Sequence, residues 1–135
     1  MDWLEIGFLL EQPFFFVIIN AMKVASRDNP VSIEELKKLS NLLNNLVKVV
    51  VDVEKEIMAI GADLHSDEED FLIDTGSKQE NLWGINIYPY ENKDNWIEFD
   101  SMINLKPSWG NFSQGVDSEE TREKIKQVVY KLIAE

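Results

Sequence analysis

"LVKVVVDVEKEIMAIGADL", residues 46 to 64, decides the fold. Leu46 to Val53 is rich in β-branched side chains, which pack well on a pleated surface, and this predicts a strand. Glu54, Lys55 and Glu56 form a polar turn, and Ile57 to Leu64 runs apolar again, so the stretch reads as a hairpin. A second pair follows. Leu82 to Tyr88 is a strand ended by Pro89, and Trp96 to Leu105, "WIEFDSMINL", alternates apolar with polar residues. The polar link Tyr90 to Asn95 joins the two.

Helices punctuate these hairpins. Ser32 can cap a helix whose Glu35 completes a capping box, and Ile33, Leu36, Leu39, Leu43 and Leu46 recur at helical spacing until Asn44-Asn45. Ser66 to Thr75 reads as a short helix capped by Ser66, with Glu69 at the capping-box position and Gly76 as the stop. A last helix starts near Ser118 and turns Ile125, Val128, Val129, Leu132 and Ile133 to one side. The order helix–hairpin–helix–hairpin–helix predicts an α+β fold. Its sheet is mostly antiparallel and four-stranded, with helices mainly on one face.

The 135 residues fit one domain, and 44% hydrophobic with 28% charged residues is globular composition. Residues 1–21 are an apolar extension and 22–135 the α+β domain. Asp2 and Glu5 stand where a signal peptide needs positive charge, and Glu5, Glu11, Gln12 and Pro13 interrupt any membrane span. Phe14 to Ile19 is available as a fifth strand, or as an apolar surface covered by a second copy of the chain.

The formal net charge is −12. Such a surface repels phosphate backbones and anionic lipid heads, so neither nucleic acid nor membrane is an expected partner. With no cysteine, thiolate zinc sites, thiol catalysis and disulfides are excluded. That composition suits a reducing cytoplasm. No phosphate-binding glycine loop of the G-x-G-x-x-G or G-x-x-x-x-G-K type occurs, and no G-x-S-x-G nucleophile elbow.

The words "LVKVVVDVEKEIMAIGADLHSDEE", "DTGSKQENLWGINIYP" and "IEFDSMINLKPSWGN" resemble a family of small prokaryotic proteins known as a domain of unknown function. The likeness spans roughly residues 22 to 133. It departs from the family pattern at Ala62, Lys106 and Trp109. It implies a domain starting near Met22 and transfers no catalytic residue.

Three sets of residues carry chemistry. His65, the only histidine, stands beside Asp67 and Glu68. An imidazole among carboxylates suits a general base or a ligand for zinc or manganese, although one acidic helix start also accounts for these residues. Strand alternation places Asp52, Asp63, Glu98 and Asp100, with Asn86, on outer sheet faces, where carboxylates on rigid strands could hold a divalent metal. A half-exposed sheet face is also polar for no other reason than solvent. Lys106, Trp109, Asn111 and Ser113 lie in the loop 106–117, a candidate ligand-binding lid whose Trp109 and Phe112 could equally pin it to the core. The specific expectation is a small-ligand or metal-assisted hydrolytic site around His65, Asp67, Glu68 and loop 106–113. The alternative is a non-catalytic interaction module using the acidic second half or the apolar N-terminus.

Overall fold

The computed structural model describes residues 22–42 and 44–135. In chain order it contains β1 (Lys23–Ala25), β2 (Val31–Ser32), α1 (Ile33–Leu42), β3 (Val47–Asp52), β4 (Ile57–Ile60), α2 (His65–Asp74), β5 (Leu82–Ile87), β6 (Ile97–Glu98), α3 (Glu119–Leu132) and β7 (Ile133–Ala134). The main sheet is five-stranded, in the order β1-β4-β3-β5-β6, and every pairing in it is antiparallel. β2 and β7 form a separate parallel pair. The α+β expectation holds. The fifth strand among the described residues is Lys23–Ala25, while the expectation for Phe14 to Ile19 lies outside them.

β3 is the centre. Its register sets Val50 against Ala59 on one side and Gly84 on the other. Because side chains alternate, Val47, Val49 and Val51 face one way and Lys48, Val50 and Asp52 the other. The first face packs with Met58, Ile60, Ile85 and Ile87 against Leu36 and Leu39 of α1 and Ile125, Val128, Val129 and Leu132 of α3. The second face packs Val50, Ala59 and Leu82 against Leu72 of α2. Two helices thus cover one face and the third covers the other.

Local signals explain most boundaries. At α1 the Glu35 N–H donates to Ser32 Oγ at 3.0 Å, and the Ser32 N–H reaches Glu35 Oε1 at 3.4 Å, a reciprocal capping box. Asn44 and Asn45 then take positive φ values of 62° and 67°, which asparagine tolerates better than most residues. α2 ends in a Schellman motif. The Ser77 N–H donates to Leu72 O at 2.9 Å and the Gly76 N–H to Ile73 O at 3.1 Å, with Gly76 at φ 111°. Ser118 caps α3 by accepting from the Thr121 N–H.

Two expectations are corrected. α2 begins at His65, with Leu64 at the cap position and no side-chain cap, so Ser66 is not the cap. The fourth strand is only Ile97–Glu98 and not Trp96 to Leu105, because the chain then turns into a 3-10 turn at Met102–Asn104. There the Asn104 side chain replaces strand backbone. Its Oδ1 accepts from the Gly84 N–H at 2.8 Å and its Nδ2 donates to Gly84 O at 2.9 Å. Gly84 is needed for this approach, since a Cβ there would stand 2.5 Å from Ser101 Cβ.

Candidate functional site

α2 is amphipathic in an unusual sense. Its buried residues are His65, Glu68, Glu69 and Leu72, so three of the four carry ionisable groups. Phe71 and Ile73, by contrast, are exposed. Burying ionisable groups is costly unless they are paired or neutral. Two clusters on this inner face deal with that cost differently.

The first cluster lies at the start of α2, over the polar row of the sheet. Lys48 of β3 is paired in register with Asn86 of β5, and Asn86 with Glu98 of β6. Asn86 Nδ2 donates to Glu98 Oε1 at 2.8 Å, and the Tyr88 hydroxyl donates to the same oxygen at 3.1 Å. His65 Nε2 stands 2.7 Å from Ile85 O. A carbonyl only accepts, so Nε2 carries the proton and the lone pair of a neutral imidazole sits on Nδ1. Burial lowers the His65 pKa, helped by nearby Lys48 and opposed by the Ile85 carbonyl and Asp100. Glu68 is fully buried, and burial pushes its carboxyl well above the usual range, against the Ala62 N–H and Lys48. Its Oε2 accepts from the Ala62 N–H at 3.2 Å, while its Oε1 has no partner, and neither has Asn86 Oδ1. Beside these groups a surface cavity of about 170 Å³ is lined by Asn44, Leu46, Lys48 and Asp63.

The second cluster joins α2 to the loop. Lys106 is buried, with its Nζ 4.0 Å from Glu69 Oε2, and neither atom has a hydrogen-bond partner. The Nζ lies 5.4 Å from the Trp83 ring centroid and 6.0 Å from that of Trp109. Burial lowers the Lys106 pKa against the pull of Glu69, and burial raises Glu69 against Lys106.

The other sequence-derived residues are placed as follows. Asp67 is exposed in the first turn of α2. Asp63, Glu98 and Asp100 are exposed. Asp52 is paired with Leu82, four residues along β5 from Asn86, roughly 13 Å from the Glu98 row. Its Oδ1 accepts from the Glu54 and Lys55 N–H groups and its Oδ2 from Ser77 Oγ, so it builds the hairpin turn. Among the described residues, no group of three or more His, Asp or Glu side chains is placed to hold a metal ion.

Loop 106–117 is better organised than its length implies. A 3-10 turn spans Pro107–Trp109, and Asn111 Nδ2 donates to Asn104 O, Ser113 O and Gly115 O. Asn111 is therefore a structural hub, and Ser113 Oγ is spent on Asp117 Oδ1 at 2.5 Å. Trp109 and Phe112 are 52% and 71% exposed, so they do not pin the loop to the core.

Sequence reasoning missed the pairing of Lys106 with Glu69 and the central position of Lys48. The one signal for Lys48 was a cation inside a valine strand.

Fold and site together define a small α+β domain carrying buried ionisable groups between one helix and the face of an antiparallel sheet that it covers. The chain belongs to the family described as protein of unknown function DUF5674, whose model matches residues 25–132. No curated protein and no solved structure matches it.

Proposed function

We propose that this domain binds a small polar ligand at Lys48, His65, Glu68 and Asn86 and hydrolyses it. The observation that supports this reading is the 2.7 Å bond from His65 Nε2 to Ile85 O, which leaves Nδ1 as a proton acceptor on a fixed ring. In the reaction, Nδ1 takes a proton from water while the water oxygen attacks an acyl carbon. The tetrahedral intermediate then collapses as the bond from that carbon to the leaving oxygen breaks and the imidazolium gives its proton to the departing group, leaving a carboxylic acid and an alcohol. Lys48 and the protonated Glu68 carboxyl supply hydrogen bonds to the oxyanion that develops. Asp67 acts indirectly, since its charge helps keep Glu68 protonated. The test is hydrolysis of p-nitrophenyl acetate by the full chain. His65→Ala is expected to lower the rate about 10²–10⁴-fold, the usual range for a lost general base. Equal rates for the two proteins remove His65 from catalysis. Repeating the assay with manganese tests the metal-assisted form, in which Asp63, Glu98 or Asp100 recruits the ion and the rate rises.

A second reading, a non-catalytic interaction module, is favoured by a different observation. Met102, Leu105, Trp109 and Phe112 are all exposed within one short segment. Apolar surface concentrated in this way marks association sites. On this reading Trp109→Ser and Phe112→Ser abolish association seen by light scattering, and His65→Ala does not.

No helix among the described residues is long and apolar enough to cross a membrane.

A further inference from the structure

The Lys106 cluster is not used by the hydrolytic reading, and its geometry is unusual for an ion pair. A lysine that only tied the loop to α2 would bring its ammonium within hydrogen-bond distance of the carboxylate. Here Nζ and Oε2 are 4.0 Å apart, and both are without partners. The side chain of Lys106 is 2% exposed and that of Glu69 12%. The Trp83 and Trp109 rings flank the amine, and Trp109 is half exposed, so one of the two flanking rings reaches the surface.

We infer that Lys106 is an imine-forming amine for a small, flat, uncharged aldehyde, with Glu69 as its proton relay and Trp109 as the ring that covers the bound group. The class of ligand follows from the flanking rings. Two indole rings favour a flat apolar body, and the chain's charge of −12 disfavours an anionic carbonyl compound. The chemistry balances without any oxidant. The Nζ lone pair attacks the carbonyl carbon, and the carbonyl oxygen takes a proton from the Glu69 carboxyl. The positively charged nitrogen then returns a proton to the Glu69 carboxylate, and the Glu69 carboxyl passes a proton to the new hydroxyl, which leaves as water. The nitrogen gives its second proton to the carboxylate, so that amine plus aldehyde has become imine plus water with Glu69 protonated as at the start. Desolvation in an apolar pocket is the usual way in which a lysine is activated for this step. Burial lowers the Lys106 pKa and raises that of Glu69, the directions that a free amine and a protonated acid require.

The experiment incubates the full chain with benzaldehyde and sodium cyanoborohydride at pH 7 and maps the modified peptides by mass spectrometry. Each unit by which an amine pKa is lowered raises its free fraction at neutral pH about tenfold. The expected result is a benzyl group on Lys106 ahead of exposed lysines such as Lys38 and Lys124, with a labelling rate that levels off below the ordinary lysine value of 10.5. Glu69→Gln, which preserves shape, slows labelling of Lys106 about tenfold or more. Labelling spread over the exposed lysines with Lys106 unmodified overturns the inference, as does Lys106 labelling at the pace of Lys124. The unmutated chain alone decides this, so a misfolded variant leaves the result intact.

Discussion

Glu68 and Asn104 show how single residues set the balance at this site. Glu68 is fully buried with one oxygen unpartnered, and its carboxyl titrates well above the usual range because burial disfavours its charge. A folded pKa raised above the unfolded one gives stability that is complete below the unfolded pKa of 4.5 and is lost as pH rises through the folded value. Glu68→Gln removes the cost of charging, so its melting temperature is expected to exceed wild type at pH 8. The difference shrinks as pH falls toward 5, and a constant difference across that window refutes the burial argument. His65 has the opposite sign. Its pKa is lowered, so its contribution is present above the unfolded value of 6.5 and is lost as pH falls through the folded one. Activity that needs neutral His65 is therefore expected to reach half of its maximum below pH 6.5. Asn104 is a purely structural counterpart. Asn104→Ala strands the Gly84 N–H and C=O at the sheet edge and is expected to cost about 1–3 kcal/mol for each buried group left unpaired, measured by urea unfolding.

At the scale of elements, the caps separate what local sequence reveals from what packing decides. Ser118 caps α3, whereas Ser66 lies one residue inside α2 with no capping bond. Ser118→Ala is expected to lower stability by about 0.5–2 kcal/mol. Ser66→Ala, on an exposed side chain that caps nothing, is expected to change it by less than about 0.5 kcal/mol. Equal losses in thermal melts of the two variants contradict the placement of Leu64 at the cap. The valine run of β3, the Ser32–Glu35 box and the Gly76 stop were legible because each signal is complete within a few residues. Trp96 to Leu105 misled because it alternates as a strand does. What ends the strand is a side chain, Asn104, that occupies the backbone groups of Gly84, and only the tertiary fold brings them together. The site divides in the same way. His65 among acids was visible as composition, and the acids next to it were named with it. Lys106 was visible only as a loop cation, because its carboxylate, Glu69, comes from a helix distant in the chain. Asp52 looked like a candidate metal ligand because alternation gives the face of a side chain but not its partners. Two backbone N–H groups and Ser77 hold it in the turn.

The whole molecule raises the question of how far the domain depends on residues 1–21. We expect a chain beginning at Met22 to fold. The main core cluster runs from Ala25 to Ile133, and the edge strand Lys23–Ala25 is held by its pairing with β4. Both faces of the sheet are covered by helices that lie after Met22. The preceding segment nevertheless carries Trp3, Phe8, Phe14, Phe15, Phe16 and Ile18 among its apolar side chains. Covering each one contributes roughly 1.5–3 kcal/mol, so the segment has a strong drive to pack on its own domain or on a second copy. Circular dichroism and light scattering on the full and shortened chains separate these cases. An unfolded shortened chain makes the segment integral to the domain and refutes the boundary. A folded monomer, where the full chain is a dimer, identifies the segment as the interface and supports the interaction reading. If both are monomers, a lower melting temperature for the shortened chain places the segment on its own domain. Equal melting temperatures mean that it contributes nothing to folding, and the packing expectation fails.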